Sequence, residues 1–192
     1  MIGAVMVATF ATGCGAVHAN ERPVCRFGGP TVLMAEAIPG AQMVPCVRSL
    51  PIGWHFGSFR AGNGDAAFTL DSDLAGKGAL LVQLSRSCST DGTTPAASDE
   101  SGARLYRTPP GAGGGTSGQD GSGLFGTATP TEQWFYVLPG ACVRYAFVLP
   151  AAHAQVLRRQ IQTGVSFVTR RALDQVMREE TGRSLFVPGV SR

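Results

Sequence analysis

Large apolar side chains alternate with small or polar ones between residues 54 and 85, a pattern typical of half-buried β-strands. Residues 54–60 and 66–70 flank the run Gly62-Asn63-Gly64, whose members tolerate positive φ values. This stretch therefore predicts a β-hairpin. Residues 79–85 are almost continuously apolar and predict a third strand.

A second hairpin is predicted around the turn Pro139-Gly140. Residues 133–138 are rich in aromatic side chains, which favour strands, and residues 142–149 return as their partner. Residues 103–107 predict one shorter strand.

The C-terminal part of the chain changes to helical spacing. Over residues 151–162, Leu157 and Ile161 lie on one face of a predicted helix. Thr169 is predicted to cap a second helix, which Gly182 ends. Strands followed by helices favour an α+β fold, in which an antiparallel sheet of about five to six strands is covered by two C-terminal helices.

The chain divides into three parts. Residues 1–19 form a signal-peptide or lipobox region, and residues 20–50 form a Pro- and Gly-rich segment with a short helix at 31–37, capped by Thr31. Residues 51–192 form the α+β domain, which ends in a short strand at 184–187. Within it, residues 108–131 are mostly Gly, Ser, Thr and Pro, and we expect this insert to be flexible.

The N-terminus resembles a bacterial lipoprotein signal. Residues 2–13 form an uncharged apolar run that is as long as a signal-peptide core and too short to span a bilayer. Cys14 follows the small residues Thr12 and Gly13, so we expect it to be lipidated and to become the new N-terminus. No Lys or Arg precedes the run, which fits a translation start upstream of Met1.

Two other interpretations of this region stay open. Val17-His18-Ala19 has the small-x-small pattern of ordinary signal peptidase sites, and cleavage there would release a soluble protein that begins at Asn20. Alternatively, the apolar run is a buried N-terminal helix or strand.

Cysteine content supports export. Five cysteines are present, and four remain once Cys14 is lipidated or removed, which is typical of two disulfides in an exported chain. We favour the pairs Cys25–Cys46 and Cys88–Cys142, because the first pins a loop-rich segment and the second joins two predicted strands. A metal site does not fit the spacing, since no two cysteines lie within a few residues of each other. Free buried cysteines are the alternative.

The net charge is +3, and the excess of arginine lies in the C-terminal third. Such an excess suits anionic lipid headgroups or cell-wall polymers, but it is also typical of a solvated helix face. The chain lacks the interleaved aromatic and basic residues of nucleic-acid binding, which we do not expect. These arginines are Arg144, Arg158, Arg159, Arg170, Arg171, Arg178, Arg183 and Arg192.

Three segments carry a resemblance to known proteins: FTLDSDLAG at residues 68–76, GAL at 78–80 and WFYVLPGACV at 134–143. They resemble a group of uncharacterised actinobacterial extracytoplasmic proteins over most of residues 40–187. The resemblance implies an exported domain and an actinobacterial host. It implies no assigned activity and no catalytic residue.

Motifs for catalysis or metal binding are incomplete. Residues 113–118 match GxGxxG but lack the flanking strand and helix. Residues 71–76 resemble the start of a calcium loop, but Ala75 at its fifth position and Val82 at its twelfth position replace oxygen ligands. We therefore predict no metal, no cofactor and no catalytic residue. An exported hydrolase acting on wall glycan or peptide would have to use scattered groups, chiefly His55, Asp65, Asp71, Asp73 and Glu132.

Aromatic side chains are the remaining binding candidates, since Trp54, Trp134 and Tyr136 would line a groove if they were not core residues.

The leading hypothesis is a noncatalytic envelope protein, anchored to the membrane by its N-terminal lipid, which binds a partner protein or a cell-wall polymer. The exported hydrolase and a receptor for a small ligand are the alternatives.

Overall fold

The computed structural model describes residues 16–26, 28–62, 64–109 and 130–185. Cys14, most of the predicted signal region and most of the predicted insert lie outside the described residues. Residues 186 and 187 of the predicted last strand also lie outside, and Ser184 and Leu185 adopt no strand.

Ten strands occur in the described part of the chain, and all of their pairings within the two sheets are antiparallel. Eight of them form one sheet in the spatial order β1-β3-β4-β5-β9-β8-β7-β6, and β10 pairs with β2 in a small second sheet. In chain order the strands are β1 (Val17–Ala19), β2 (Met43–Val47), β3 (Trp54–Gly62), β4 (Asp65–Ser72), β5 (Gly76–Ser85), β6 (Thr94–Ala96), β7 (Arg104–Arg107), β8 (Glu132–Leu138), β9 (Ala141–Phe147) and β10 (Val165–Thr169).

Three helices pack on one face of the large sheet: α1 (Gly29–Ala37), α2 (Ala154–Gly164) and α3 (Arg170–Thr181). Helix α1 contacts β2, β3 and β4, while α2 and α3 contact β10. All three helices contribute to one hydrophobic core with the large sheet. The predicted α+β class, the antiparallel sheet and the two C-terminal helices are confirmed.

The ends of the helices follow capping rules only in part. Thr169 caps α3 as predicted, since its hydroxyl accepts a hydrogen bond from the Ala172 amide at 3.2 Å, and Gly182 ends the helix with φ +68°. Thr31 does not cap α1, which already begins at Gly29 with Pro30 in its first turn. The Thr31 hydroxyl instead donates to the Val24 carbonyl at 2.7 Å.

The two faces of the large sheet differ in what they bury. On the inner face, side chains such as Phe68, Leu80 and Tyr145 join the core beneath the helices. Successive side chains of a strand alternate between faces, so their neighbours Ala67, Leu81 and Ala146 lie on the outer face. There they form a second, small buried cluster that contains strand residues only.

The two ends of the large sheet are also distinct. At the hairpin end lie the β3–β4 turn, the last residue of β5, the β8–β9 turn and the first residue of β7. At the far end lie the first residues of β3 and β8 and the β4–β5 turn. Helix α2 packs at the far end, where Gln160 accepts a hydrogen bond from Trp54 Nε1 at 2.8 Å.

Both predicted cysteine pairs are brought together. The Cα atoms of Cys25 and Cys46 lie 4.9 Å apart, and those of Cys88 and Cys142 lie 5.8 Å apart. Both distances suit disulfides. One pair joins the N-terminal segment to β2, and the other joins the loop after β5 to β9. These pairs are consistent with an extracytoplasmic location.

No helix in the described ranges is long and apolar enough to cross a membrane.

Candidate functional site

Trp134 lies in a filled part of the core. Its ring is 1% exposed, the Phe147 ring packs against it at a centroid distance of 4.8 Å, and the Arg107 guanidinium lies 4.2 Å from the ring centroid. Its Nε1 donates to Glu132 at 2.6 Å. The small-ligand hypothesis required a cavity beside this ring, and these side chains occupy that space.

Trp54 and Tyr136 are also buried, and their polar atoms have partners within the protein. Trp54 bonds Gln160, and the Tyr136 hydroxyl donates to Asp99 at 3.0 Å. Three strands separate β3 from β8, so the strands that carry Trp54 and Trp134 lie about 19 Å apart across the sheet. The structure does not bring the three aromatic residues into one groove, and their role in ligand binding stays a prediction.

Two tyrosines of this core have strongly shifted ionisation. Burial raises the pKa of Tyr136 well above its ordinary value, and the Asp99 carboxylate raises it further. Burial likewise raises the pKa of Tyr145, with a smaller effect from Tyr136. Nearby, partial burial and then Asp99 raise the pKa of Glu100, while Arg48 opposes the shift. These shifts result from core packing, and both tyrosines are neutral hydrogen-bonding or packing groups at ordinary pH.

His55 and two aspartates converge at the far end of the sheet. His55 lies opposite Asp71 in the β3–β4 register, and its Nε2 lies 3.0 Å from Asp73 Oδ1. The side chains of His55 and Asp73 are 63% and 66% exposed, so this pair lies on open surface rather than in a cleft. Asp71 accepts a hydrogen bond from the Gly78 amide at 2.8 Å, which is the turn role expected of it.

The other carboxylates of the hydrolase alternative lie elsewhere. Asp65 is six residues from Asp71 along β4, which corresponds to about 20 Å. It pairs with Arg60 and accepts from Gln83 at 2.8 Å. Glu132 pairs with Arg158 of α2. The structure therefore unites His55, Asp71 and Asp73 but leaves Asp65 at the opposite end.

Across the described residues, no group of three or more His, Cys, Asp or Glu side chains is placed to hold a metal ion. The calcium-like string at 71–76 forms the end of β4, a tight turn and the start of β5 instead.

The C-terminal arginines do not form one charged surface. Arg170 is only 2% exposed, Arg158 pairs with Glu132, and Arg178 pairs with Asp174 at 2.6 Å. Arg144 lies on β9, on the outer face of the sheet. Arg158 and Arg170 therefore do not belong to one solvated helix face, because each bonds residues outside its own helix. Arg178 is exposed and pairs within α3, as a solvated helix face would have it.

One groove of about 580 Å³ lies between the N-terminal segment and α3, a volume in the range of small-ligand sites. Its lining is mainly apolar, with Arg26 and Glu180 as charged members and the Cys25 disulfide at one side. The sequence does not predict this groove, because residues far apart in the chain form it. Its apolar lining residues are Val168, Ala172, Leu173 and Val176.

Two exposed apolar side chains lie on neighbouring loops at the far end. Ile52 is 98% exposed and Leu74 is 54% exposed. Their loops are tied by a hydrogen bond from the Asp73 amide to the Gly53 carbonyl at 2.8 Å. We call Ile52 and Leu74 the apolar tips. Exposed apolar groups held on ordered loops are candidates for contact with another molecule.

The chain matches no protein-family model, no curated protein and no solved structure.

Proposed function

We propose that this chain is an exported, lipid-anchored and noncatalytic envelope protein, which presents a disulfide-stapled α+β domain to a partner protein or a cell-wall component. The observation that carries the proposal is the position of β1, which begins three residues after Cys14. The resemblance to actinobacterial extracytoplasmic proteins points to the same compartment.

The pairing of β1 favours the lipoprotein over a soluble secreted protein. Residues 17–19 pair with β3 from Ala61 to Phe59, and Ala19 packs against the core. Cleavage after Ala19 would remove this strand and leave the edge of β3 without its partner. Processing before Cys14 would keep β1 and place the lipid next to the folded domain.

The cysteine pairs support maturation outside the cytoplasm. They unite residues 21 and 54 positions apart in sequence, and the chain-entropy model gives such bridges about 3 and about 4 kcal/mol of stabilisation. Disulfides of this kind form and persist in oxidising compartments.

The apolar tips support a role in contact with a partner. They lie at the far end of the sheet, about 26 Å along β3 from the end at which β1 begins. A lipid on Cys14 would therefore leave Ile52 and Leu74 directed away from the anchored end.

A receptor for a small ligand is the second candidate, because the groove between Arg26 and Glu180 has a suitable volume and an apolar lining. That groove does not involve Trp54, Trp134 or Tyr136.

Anchoring is tested with Cys14→Ser in the producing cells. We expect the parent chain to enter the detergent phase and the variant to lose lipid attachment, while Ala11→Leu, which improves the lipobox, is processed at least as well as the parent. A Cys14→Ser chain that carries the same lipid and the same processed mass as the parent would contradict anchoring.

Partner contact is tested by crosslinking in the same cells. We expect Ile52→Glu with Leu74→Glu to lose the crosslinked species, while the apolar control Ile52→Val with Leu74→Met keeps it. Equal crosslinking by both double variants would exclude the apolar tips as the contact surface.

A further inference from the structure

Arginine side chains gather at the hairpin end, and three of them lie on the outer face of the sheet. Arg60 on β3 and Arg144 on β9 lie in one row across the sheet, in register through Ala67 and Gln83. Arg104 opens β7 and lies opposite Val137, which places it on the same face. Arg86 follows β5 directly, and its guanidinium lies beside Gly64 in the β3–β4 turn. Arg86 and Arg104 are exposed.

Acidic groups also lie at the hairpin end, but the one on the outer face of the sheet is paired. Asp65 is held by Arg60 and Gln83, and Asp91 lies in the loop that follows Arg86. Asp99 and Glu100 also belong to the hairpin end, but Asp99 binds the Tyr136 hydroxyl, which belongs to the inner face. Three arginines and one paired aspartate therefore lie on the outer face at this end, where Arg104 is exposed. The exposed Arg86 lies at the edge, beside the β3–β4 turn.

The residues before β1 bring Cys14 close to the hairpin end. Ala16 lies against Gly62, with its Cβ 3.6 Å from the position that a Gly62 Cβ would take. Only Gly15 separates Ala16 from Cys14, and two residues of extended chain span at most about 7 Å. A lipid on Cys14 would thus enter the bilayer beside the hairpin end.

We propose that the hairpin end, with Arg104 exposed on its outer face and Arg86 exposed beside the β3–β4 turn, docks on the anionic headgroups of the membrane that holds the lipid anchor. This inference rests on the proposed lipid anchor and adds an orientation to it. Basic side chains next to a lipid anchor strengthen attachment to anionic bilayers. The docked domain has its hairpin end at the membrane and its apolar tips pointing away.

The test uses the lipidated full-length protein in vesicles of phosphatidylcholine, with or without phosphatidylglycerol. Phenylglyoxal modifies accessible arginines, and peptide mass spectrometry gives the rate at each position. We expect the rates at Arg86 and Arg104 to be about fivefold lower in the anionic vesicles. The exposed arginines Arg171 and Arg183, beside and beyond α3, are the internal controls, and their rates should not change.

The salt dependence of the modification rates gives a second measurement on the same sample. Screening shortens the Debye length from about 10 Å at 0.1 M salt to about 3 Å at 1 M. We expect high salt to restore modification of Arg86 and Arg104 in anionic vesicles, while the lipid keeps the protein bound.

Three outcomes would overturn the proposed docking. One is equal modification of Arg86 and Arg104 in both vesicle types, and another is protection of Arg171 and Arg183 instead. The third is protection by a soluble glycerol-phosphate polymer but not by anionic vesicles, which would assign the surface to a wall polymer. Failure of the anchor is distinguishable, because an unlipidated chain would not float with phosphatidylcholine vesicles.

Discussion

The Arg170 guanidinium donates from Nε to the Ala41 carbonyl at 2.7 Å, and this bond ties the first turn of α3 to the segment that follows α1. The same side chain donates to the carbonyls of Ala35 and Ile38, which the end of α1 leaves without helical partners. Burial lowers the pKa of Arg170, and Glu36 and Asp174 oppose the shift. A cation at the C-terminus of a helix also suits the helix dipole.

Replacement of Arg170 by Ala should destabilise the domain strongly, because three buried hydrogen bonds from its guanidinium are lost at once and only the Ile38 carbonyl keeps another donor, the Ala41 amide. We expect the free energy of unfolding to fall by about 3 kcal/mol or more in urea titrations with the disulfides intact. Arg171→Ala is the matched control, since Arg171 is exposed, and it should change stability by no more than about 0.5 kcal/mol. Equal effects of the two variants would show that Arg170 is not a link between α1 and α3.

Gly140 should tolerate no side chain. It adopts φ +75°, and a Cβ at this position would overlap the Gly40 carbonyl oxygen. Gly76 is a matched control, because it has φ +85° but open space around it. Gly76→Ala should cost only the left-handed penalty of about 1–2 kcal/mol, and Gly140→Ala at least about 2 kcal/mol more, as measured by urea unfolding. Similar costs at both glycines would contradict the close approach of the two turns.

Loss of either disulfide should destabilise the domain, and the longer bridge should matter more. In the chain-entropy model, Cys88→Ala with Cys142→Ala removes about 4 kcal/mol, and Cys25→Ala with Cys46→Ala about 3 kcal/mol. Thermal unfolding of the two double variants, with and without reductant, measures both contributions. Reductant should lower the unfolding temperature of the parent and of each double variant. Only a variant that lacks both bridges should unfold at the same temperature with and without reductant.

Alkaline pH should unfold the protein through Tyr136 and Tyr145. Their folded pKa values lie above the unfolded value of about 10, so the stability they contribute is complete below pH 10 and declines as the pH rises further. Each tyrosine contributes a slope of about 1.4 kcal/mol per pH unit. Urea unfolding at several pH values above 10 measures this slope. Tyr136→Phe should lower the slope by the contribution of one tyrosine. An unchanged slope would mean that the Tyr136 phenol ionises while the domain is folded.

The two hairpins were predictable because their patterns are local. Residues such as Phe68 and Trp134 alternate with their neighbours, and turn residues separate the paired strands. The cap at Thr169 and the end at Gly182 were predictable for the same reason.

The strands that the sequence did not predict depend on distant partners. Residues 43–47 contain Pro45, which argues against a strand, and residues 165–169 follow a predicted helix almost directly, so neither segment was predicted as a strand. Each becomes a strand by pairing with the other across the domain. The eight-stranded sheet likewise includes two strands of only three residues, β1 and β6.

Candidate sites were harder to predict, because burial is decided by tertiary packing. Arg170 and Arg171 are adjacent and chemically alike, yet one is buried and the other is exposed. Trp134 and Tyr136 are typical of binding sites and of cores alike. Rings such as Phe147 and Phe167 place them in the core.

The most direct test of the central claim is the mass of the protein taken from the envelope of its own cells, before and after alkylation. We predict a chain that begins at a lipid-modified Cys14 and has no alkylated cysteine until reductant is added, after which four alkyl groups are gained. A cytoplasmic chain that retains the residues before Cys14 and carries freely alkylated thiols without reductant would contradict the account.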